Sequence, residues 1–289
     1  MSPHKNDPLT GKICLITGGA QGIGWATALA LADENAIVHI LAHNLETIQT
    51  AQAEAHALGF SERIFFTQGD VAQKEQVDEW VRDVQAQHGR IDVLINNAAY
   101  YRWDLFETLP LEEFQKTIEV CLYGTLYATK AILPIMRQQS GGHIINIASS
   151  AGKLFVSRNL TAYCTVKAAI NAFTQTLAFE LKGSPIAVTV VRPATVGGTH
   201  FFRKNVKSTQ LPRLGDYVPI LLPPDVARGV LHVIKTRQEC LDIPGYLLRP
   251  MYLFFEIMPE LLRLLANWGG NARKDIGNLN WQYKPKRTQ

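Results

Sequence analysis

A chain of 289 residues with 47% hydrophobic and 19% charged residues can bury a sizeable core, as one large α/β domain or two small ones. Its formal net charge of +4 resides wholly in residues 269–289, where Arg273, Lys274, Lys284, Lys286 and Arg287 outnumber the single acid Asp275, so a basic nucleic-acid-binding face is not indicated. Cys14, Cys121, Cys164 and Cys240 show no disulfide or metal-ligand spacing, the N-terminus has no signal-like apolar run, and no uncharged apolar run reaches the roughly 18 to 20 residues of a membrane span; the expectation is a reduced, cytoplasmic protein without zinc.

The first predicted strand, 12–17, leads through glycines 18, 22 and 24 into a predicted helix over 22–33. Thr17 to Gly24 reads T-G-x-x-x-G-x-G, not the commoner G-x-G-x-x-G. Strand, glycine turn and helix N-terminus form a place for a dinucleotide: glycines let the backbone approach a pyrophosphate, and unpaired helix N–H groups favour its charge. Further strands are predicted near 36–41, 63–68, 91–95, 142–148, 186–191 and 243–248, and helices over 45–58, 73–88, 111–139, 161–182 and 224–237. The strands are nearly continuous apolar runs, and their alternation with helices predicts an α/β fold: a doubly wound parallel sheet of about seven strands, with helices on both faces. No repeat or low-complexity linker divides residues 1–250, which read as one domain. Residues 193–223, rich in Gly, Pro and aromatics, suit a lid, and 251–289 form a C-terminal extension.

Tyr163 and Lys167 stand four apart on a predicted helix, so phenol and ammonium share a face. A neighbouring cation stabilises phenolate and makes tyrosine a usable acid–base group near neutrality; taken alone, the pair is equally a packing or surface pair. Ser149 and Ser150 follow the fifth strand, at the carboxyl edge where open α/β sheets bind ligands, and a hydroxyl there can meet a substrate oxygen beside Tyr163. Two serines capping a turn are the plain alternative.

In these motifs, their order and their spacing, residues 10–248 resemble the short-chain dehydrogenase/reductase family, in its single-domain Rossmann-type branch. The resemblance rests on the glycine motif at 17–24, Asp70-Val71 after the third strand, Asn96 to Ala98 after the fourth, serine after the fifth, and Y-x-x-x-K at 163–167. It implies that Tyr163 exchanges a proton with the substrate oxygen, that Lys167 tunes Tyr163 and holds the nicotinamide ribose, and that a serine orients the carbonyl or alcohol. Ser149 aligns with that serine better than Ser150 does. The resemblance also implies cofactor contacts from Gly18, Gln21, Gly22, Ile23, Gly24, His43, Asp70, Val71, Asn97, Ala98, Pro193 and Val196, beside Tyr163 and Lys167.

Three positions depart from the family pattern. Cys121 stands where an asparagine normally holds a water linked to the lysine, and a thiol is a weak hydrogen-bonding group. Ala98-Ala99 replaces the usual Ala-Gly, and Pro193-Ala194 the usual Pro-Gly. At the end of the second strand, Ala42 replaces the acid that grips the ribose 2′-OH in NAD enzymes, and His43 follows it; NADP(H) is therefore expected over NAD(H). Tyr100, Tyr101, Trp103, Leu154, Phe155, Phe201, Phe202 and Tyr217 fall in segments expected to wall the substrate site, which favours a bulky lipophilic carbonyl or alcohol.

From Leu253 to Trp268 the extension is apolar over a broad helical face, with Pro259 either breaking a helix or starting a shorter one. That face must be buried on the domain, on another subunit or on a membrane, and packing on the protein is favoured over peripheral membrane contact. The leading reading is an NADP(H)-dependent oxidoreductase of lipophilic ketones, aldehydes or secondary alcohols, acting as a dimer or tetramer of identical subunits. A nucleotide-binding sensor or scaffold with little turnover is the alternative, and a dehydratase or epimerase a minor one.

Overall fold

A computed structural model describes residues 9–199, 219–267, 276 and 279–286. Seven strands form one parallel sheet: β1 (Ile13–Thr17), β2 (Ile37–Ala42), β3 (Ile64–Gln68), β4 (Val93–Asn96), β5 (Gly142–Ile147), β6 (Ile186–Pro193) and β7 (Cys240–Ile243). Their order is β3-β2-β1-β4-β5-β6-β7. The chain thus runs outward from β1 on one side, then returns to lay β4 on the other. The crevice between the carboxyl ends of β1 and β4 is the switch point at which such sheets hold ligands.

Helices α1 (Gly22–Asp33), α2 (Leu45–Ala57), α3 (Lys74–His88), α4 (Leu111–Ile118), α5 (Gly124–Gln138), α6 (Thr161–Glu180) and α7 (Pro223–Thr236) cover the sheet. Two large apolar clusters, one holding Ile16, Leu29, Val38 and Val230 and the other Leu15, Trp80, Ile132 and Ile144, fill the layers on its two faces. Adjacent residues Leu15 and Ile16 divide between them, as side chains alternate across a strand. Helix α1 is buried from Gly24 to Ala32, and its alanines allow close packing against α7.

Local chemistry sets the ends of these elements. The Asn44 side chain accepts from Thr47 N at 3.1 Å at the start of α2. Gly89 takes a left-handed φ of 71° after α3. Pro223 and Pro224 open α7, and the Asp225 carboxylate accepts from Leu222 N at 2.7 Å. A π-helical turn, Glu119–Tyr123, joins α4 to α5 within the segment expected as one helix. The continuous segment Leu111–Gln138 is long and apolar enough to cross a membrane. Its inner face, including Ala128, Ile132 and Met136, packs in the core beside the sheet.

The last strand is displaced from its expected place. β7 is Cys240–Ile243, paired with Val190–Pro193, not residues 243–248. Pro244 cannot donate to a ladder, and Leu248, Tyr252 and Phe255 recur at helical spacing, so α8 (Gly245–Ile257) begins there. Helix α9 (Pro259–Asn267) starts at Pro259, as one of the two sequence readings had it. Residues 281–286 then cross α1, where Tyr283 OH donates to Asp33 Oδ2 at 2.9 Å and Lys286 pairs with Glu34.

Candidate active site

The glycine turn and the end of β4 meet at the switch point. Thr17 lies opposite Asn96 in the sheet, so Gly18 and Asn97 emerge side by side. The Thr17 hydroxyl accepts from Asn97 N and Ala98 N, while Asn97 Nδ2 donates to the carbonyls of Thr17 at 3.1 Å and Gly18 at 2.9 Å. Gly18 has φ +64°, and a Cβ there would stand 2.8 Å from Ala98 Cα; both conformation and space require glycine. Gln21 precedes α1 in extended conformation without a side-chain cap, and the first turn of α1 carries no acid. This helix start and its glycine cradle therefore fit a dinucleotide pyrophosphate.

Gly18, Gln21, Gly22, Ile23, His43, Asp70, Val71, Asn97, Ala98, Pro193 and Val196 line one cavity of about 800 Å³ together with Ser149, Tyr163 and Lys167. Gly24 is the exception among the expected contacts. It lies behind the turn, where a Cβ would sit 2.5 Å from Asn97 Nδ2, so it makes room for the asparagine and does not line the cavity.

The strand–loop–helix unit β5–α6 brings the chemistry together. Ser149 leaves β5 in extended backbone and its hydroxyl accepts from Ala151 N at 3.1 Å, capping a short 3₁₀ turn, Ser150–Gly152. The same hydroxyl acts on the Tyr163 phenol as a hydrogen-bonding neighbour, and Ser150 lines the cavity beside it. Lys167, one turn along α6, is buried; its Nζ donates to the Ile147 carbonyl at 2.7 Å and lies 5.6 Å from the Tyr163 ring centroid. Burial pushes the Tyr163 phenol well above its ordinary pKa, and the Ser149 hydrogen bond acts against this. Burial likewise lowers Lys167, opposed by the nearby Cys121 thiol. Desolvation is the largest influence on the Tyr163 phenol and favours its protonated form.

Cys121 occupies the π-helical turn and is fully buried. Its thiol accepts from Tyr100 N at 3.3 Å and donates to Tyr100 O at 3.2 Å. The weak hydrogen-bonding group anticipated from sequence therefore bonds both the backbone N–H and the backbone C=O of Tyr100, tying α4–α5 to the loop after β4. π-helical turns recur at functional sites because the extra residue redirects the helix.

The substrate end of the cavity is apolar. Tyr100, Trp103, Val120, Leu154 and Leu160 line it, together with Leu248 and Met251 from α8. Tyr101 is buried behind this wall, its ring 5.2 Å from that of Tyr163, and Phe155 turns outward, 44% exposed, against Phe255. Those two expected wall residues are thereby corrected; Phe201, Phe202 and Tyr217 lie outside the described residues. Leu248 and Met251 were missed because their segment read as a strand followed by a separate extension. Asn96, named in the motif but given no role, donates through Nδ2 to Asn146 Oδ1 at 2.8 Å and Thr129 Oγ1 at 3.2 Å, while Asn146 reaches Thr174. This buried polar ladder binds β4, β5, α5 and α6 beneath the site. Asparagine recurring at the ends of the fourth and fifth strands was its only sequence trace.

Comparison with known proteins extends the match beyond local geometry. The short chain dehydrogenase family model matches residues 12–210. An uncharacterized oxidoreductase of Staphylococcus aureus (strain MRSA252) is 32% identical over 243 residues, covering 84% of this chain and 99% of that protein. Estradiol 17-beta-dehydrogenase 11 of Rattus norvegicus is 33% identical over 244 residues, covering 84% of this chain and 78% of that protein. The 3-ketoacyl-(acyl-carrier-protein) reductase of Brucella melitensis, solved with NADH, shares the fold at a TM-score of 0.72 and 23% identity, covering 81% of this chain and 97% of that one. A sheet that opens a dinucleotide cradle at its switch point, a Ser149–Tyr163–Lys167 cluster beside it and a match across most of the chain lead to one conclusion: the protein belongs to the short-chain dehydrogenase/reductase family and is a nicotinamide-dependent oxidoreductase of that type.

Proposed function

We propose that the protein is an NADP(H)-dependent reductase of bulky lipophilic ketones or aldehydes, or a dehydrogenase of the corresponding secondary alcohols. The observation that carries this reading is the aromatic and aliphatic wall of Tyr100, Trp103, Leu154, Leu160, Leu248 and Met251 around the Ser149–Tyr163–Lys167 cluster. Such a wall gains by burying apolar surface, at about 25 cal/mol per Å². The estradiol in the rat relative's name is a compound of this physical kind.

Each residue has a definite task in this reading. The Tyr163 phenol donates its proton to the oxygen of the carbonyl being reduced, and Ser149 orients that oxygen through its hydroxyl. Lys167 holds positive charge beside the phenol as phenolate develops and is placed to bond the nicotinamide ribose. Gly18, Gln21, Gly22 and Ile23 hold the pyrophosphate, Asp70 and Val71 the adenine, and Pro193 and Val196 the carboxamide end. When bound, the cofactor supplies or accepts the hydride.

The NADP(H) preference rests on Ala42, which ends β2 without an acid, and on the adjacent start of α2, where Asn44 and Thr47 line the cavity. His43 Nδ1 stands 4.0 Å from Asp70 Oδ2, so the imidazole faces both a carboxylate and the cofactor cleft. We take the working form to be a cytoplasmic homo-oligomer.

The test is NADPH oxidation with hydrophobic ketones and aldehydes, run beside small hydroxy acids and beside NADH. Turnover confined to small acids, or tighter binding of NADH than NADPH, would overturn the respective half of the proposal. An absence of turnover in either direction would favour the nucleotide sensor. Ala42→Asp should shift preference toward NADH by at least about tenfold, since an added carboxylate repels the 2′-phosphate and accepts from the 2′-OH.

A further inference from the structure

We propose that the C-terminal residues Ile276, Leu279 and Trp281 position the loop after β6 for the dinucleotide, so that cofactor affinity depends on the end of the chain remote from the glycine turn. The loop Ala194–Thr199 contributes Ala194, Thr195, Val196 and Thr199 to the cavity wall. Its first half is tied to the sheet and to Leu221. Ala194 N donates to Ile243 O at 2.8 Å, Leu221 N to Thr195 O at 2.9 Å and Gly197 N to Leu221 O at 2.8 Å. Its second half rests on the C-terminal segment. Gly198 N donates to Ile276 O at 2.9 Å. Gly198 has φ +68°, and a Cβ there would stand 2.5 Å from Leu279 O and 3.3 Å from Trp281 Cδ1, so no side chain fits between the two backbones. A Cβ on Gly197 would meet Leu279 Cδ1 at 2.7 Å and Ile276 O at 2.8 Å. Ile276 is buried and itself lines the cavity.

The segment has a second anchor at the far end of α1. Trp281 and Tyr283 pack with Ala26 and Ala30 of α1 and Ala227 of α7. Tyr283 OH and Lys286 N both donate to Asp33 Oδ2, at 2.9 and 2.8 Å. Lys286 Nζ pairs with buried Glu34, which Lys235 of α7 approaches at 3.7 Å. At the near end of α1, a Cβ on Gly22 would meet Thr199 Cγ2 at 3.5 Å, so the loop closes against the glycine turn. Residues 279–286 reach at most roughly 28 Å, more than the ~18 Å length of α1, so they can run from one end of that helix to the other. Helix, segment and loop thus form one frame: α1 holds the segment, the segment holds Gly197 and Gly198, and these set Thr199 beside Gly22. A loop held in place beforehand need not be ordered on binding, and the difference appears as affinity. The adenine end is built elsewhere. Asn44, Asp70 and Val71 line the cavity beyond β2 and β3, across β1 from β6 in the sheet order. That the β6 side receives the nicotinamide half rests on the proposed function. Loosening the segment should therefore weaken the dinucleotide and spare its adenine half.

The experiment is calorimetric titration of the full chain, without substrate, with NADPH and NADH. Each is run beside its own adenine half, adenosine 2′,5′-bisphosphate for NADPH and AMP for NADH. Trp281→Ala withdraws the ring from Gly198 and from α1. It should raise the Kd of the tighter dinucleotide by at least about tenfold and leave that of its adenine half within about twofold of wild type. Trp281→Phe keeps an aromatic ring at this place and should recover most of the lost affinity. Tyr283→Phe and Lys286→Ala, combined at the far anchor, should shift the dinucleotide in the same sense by about threefold, and this double variant decides by the same criteria if Trp281→Ala misfolds. A variant that binds the dinucleotide like wild type, or that loses its adenine half in equal measure, overturns the proposal and leaves the proposed function standing. A wild-type protein that binds both dinucleotides no more tightly than their adenine halves overturns the nicotinamide assignment of the β6 side, and the proposal with it.

Discussion

Tyr163 is governed by two opposed influences, burial that favours the neutral phenol and a Ser149 hydrogen bond that favours phenolate. Its raised pKa keeps the proton on oxygen at neutral pH, so the donor form needed for carbonyl reduction is fully populated there. The reductive rate should be flat through neutrality and fall only as pH rises into the alkaline range. Ser149→Ala removes the influence that favours phenolate, so that fall should move to higher pH; a move to lower pH would contradict the assignment. Tyr163→Phe should reduce turnover by about 10²–10⁴ with cofactor affinity nearly unchanged, whereas Lys167→Ala should impair both, as steady-state rates and cofactor titration would show. At Cys121, an alanine leaves the backbone N–H and C=O of Tyr100 without their thiol partner and should cost about 1–2 kcal/mol of unfolding free energy. Cys121→Asn restores a donor and an acceptor, and should hold or raise turnover. A folded Asn variant without activity would show that the site is built around the thiol.

At the scale of elements, the sequence was most legible where pattern and local chemistry agree. The first six strands lie within a few residues of their expected limits because their apolar runs are nearly continuous. The π-helical turn at Glu119–Tyr123 was not legible, since no residue in it marks a break in the helix. The seventh strand was misplaced because Ile243 to Leu248 is as apolar as a strand; only the pairing of Cys240–Ile243 with β6 separates it from α8. That junction is secured by a buried ion pair. Arg192 Nε donates to Asp242 Oδ1 at 2.7 Å and its second terminal nitrogen to Oδ2 at 3.0 Å, while the guanidinium lies 5.5 Å from the Tyr252 ring centroid on α8. Asp242→Ala leaves that guanidinium buried without its carboxylate and should cost about 3–5 kcal/mol, measurable by denaturant unfolding. A loss below about 1 kcal/mol would mean that water or Asn171, whose Oδ1 accepts at 2.9 Å, suffices.

For the whole molecule, the described residues of the C-terminal segment pack on the sheet and its helices. Deleting residues 245–289 would strip Leu248 and Met251 from the cavity wall, uncover the apolar cluster they join and remove Tyr283 and Lys286 from α1. The truncated chain should aggregate or melt well below the full protein in a thermal scan, and any soluble fraction should lose selectivity for bulky over small carbonyls. The sequence by itself determined the alternating architecture, the glycine turn and the tyrosine–lysine pair, because these depend on periodicity and fixed short spacings along one chain. Tertiary structure alone decided what distant segments do to one another. It set Ser149 against Tyr163, moved Gly24 behind the cradle, closed the cavity with α8 and made desolvation the dominant influence on the phenol. Those outcomes depend on packing and dielectric environment, which local sequence does not encode.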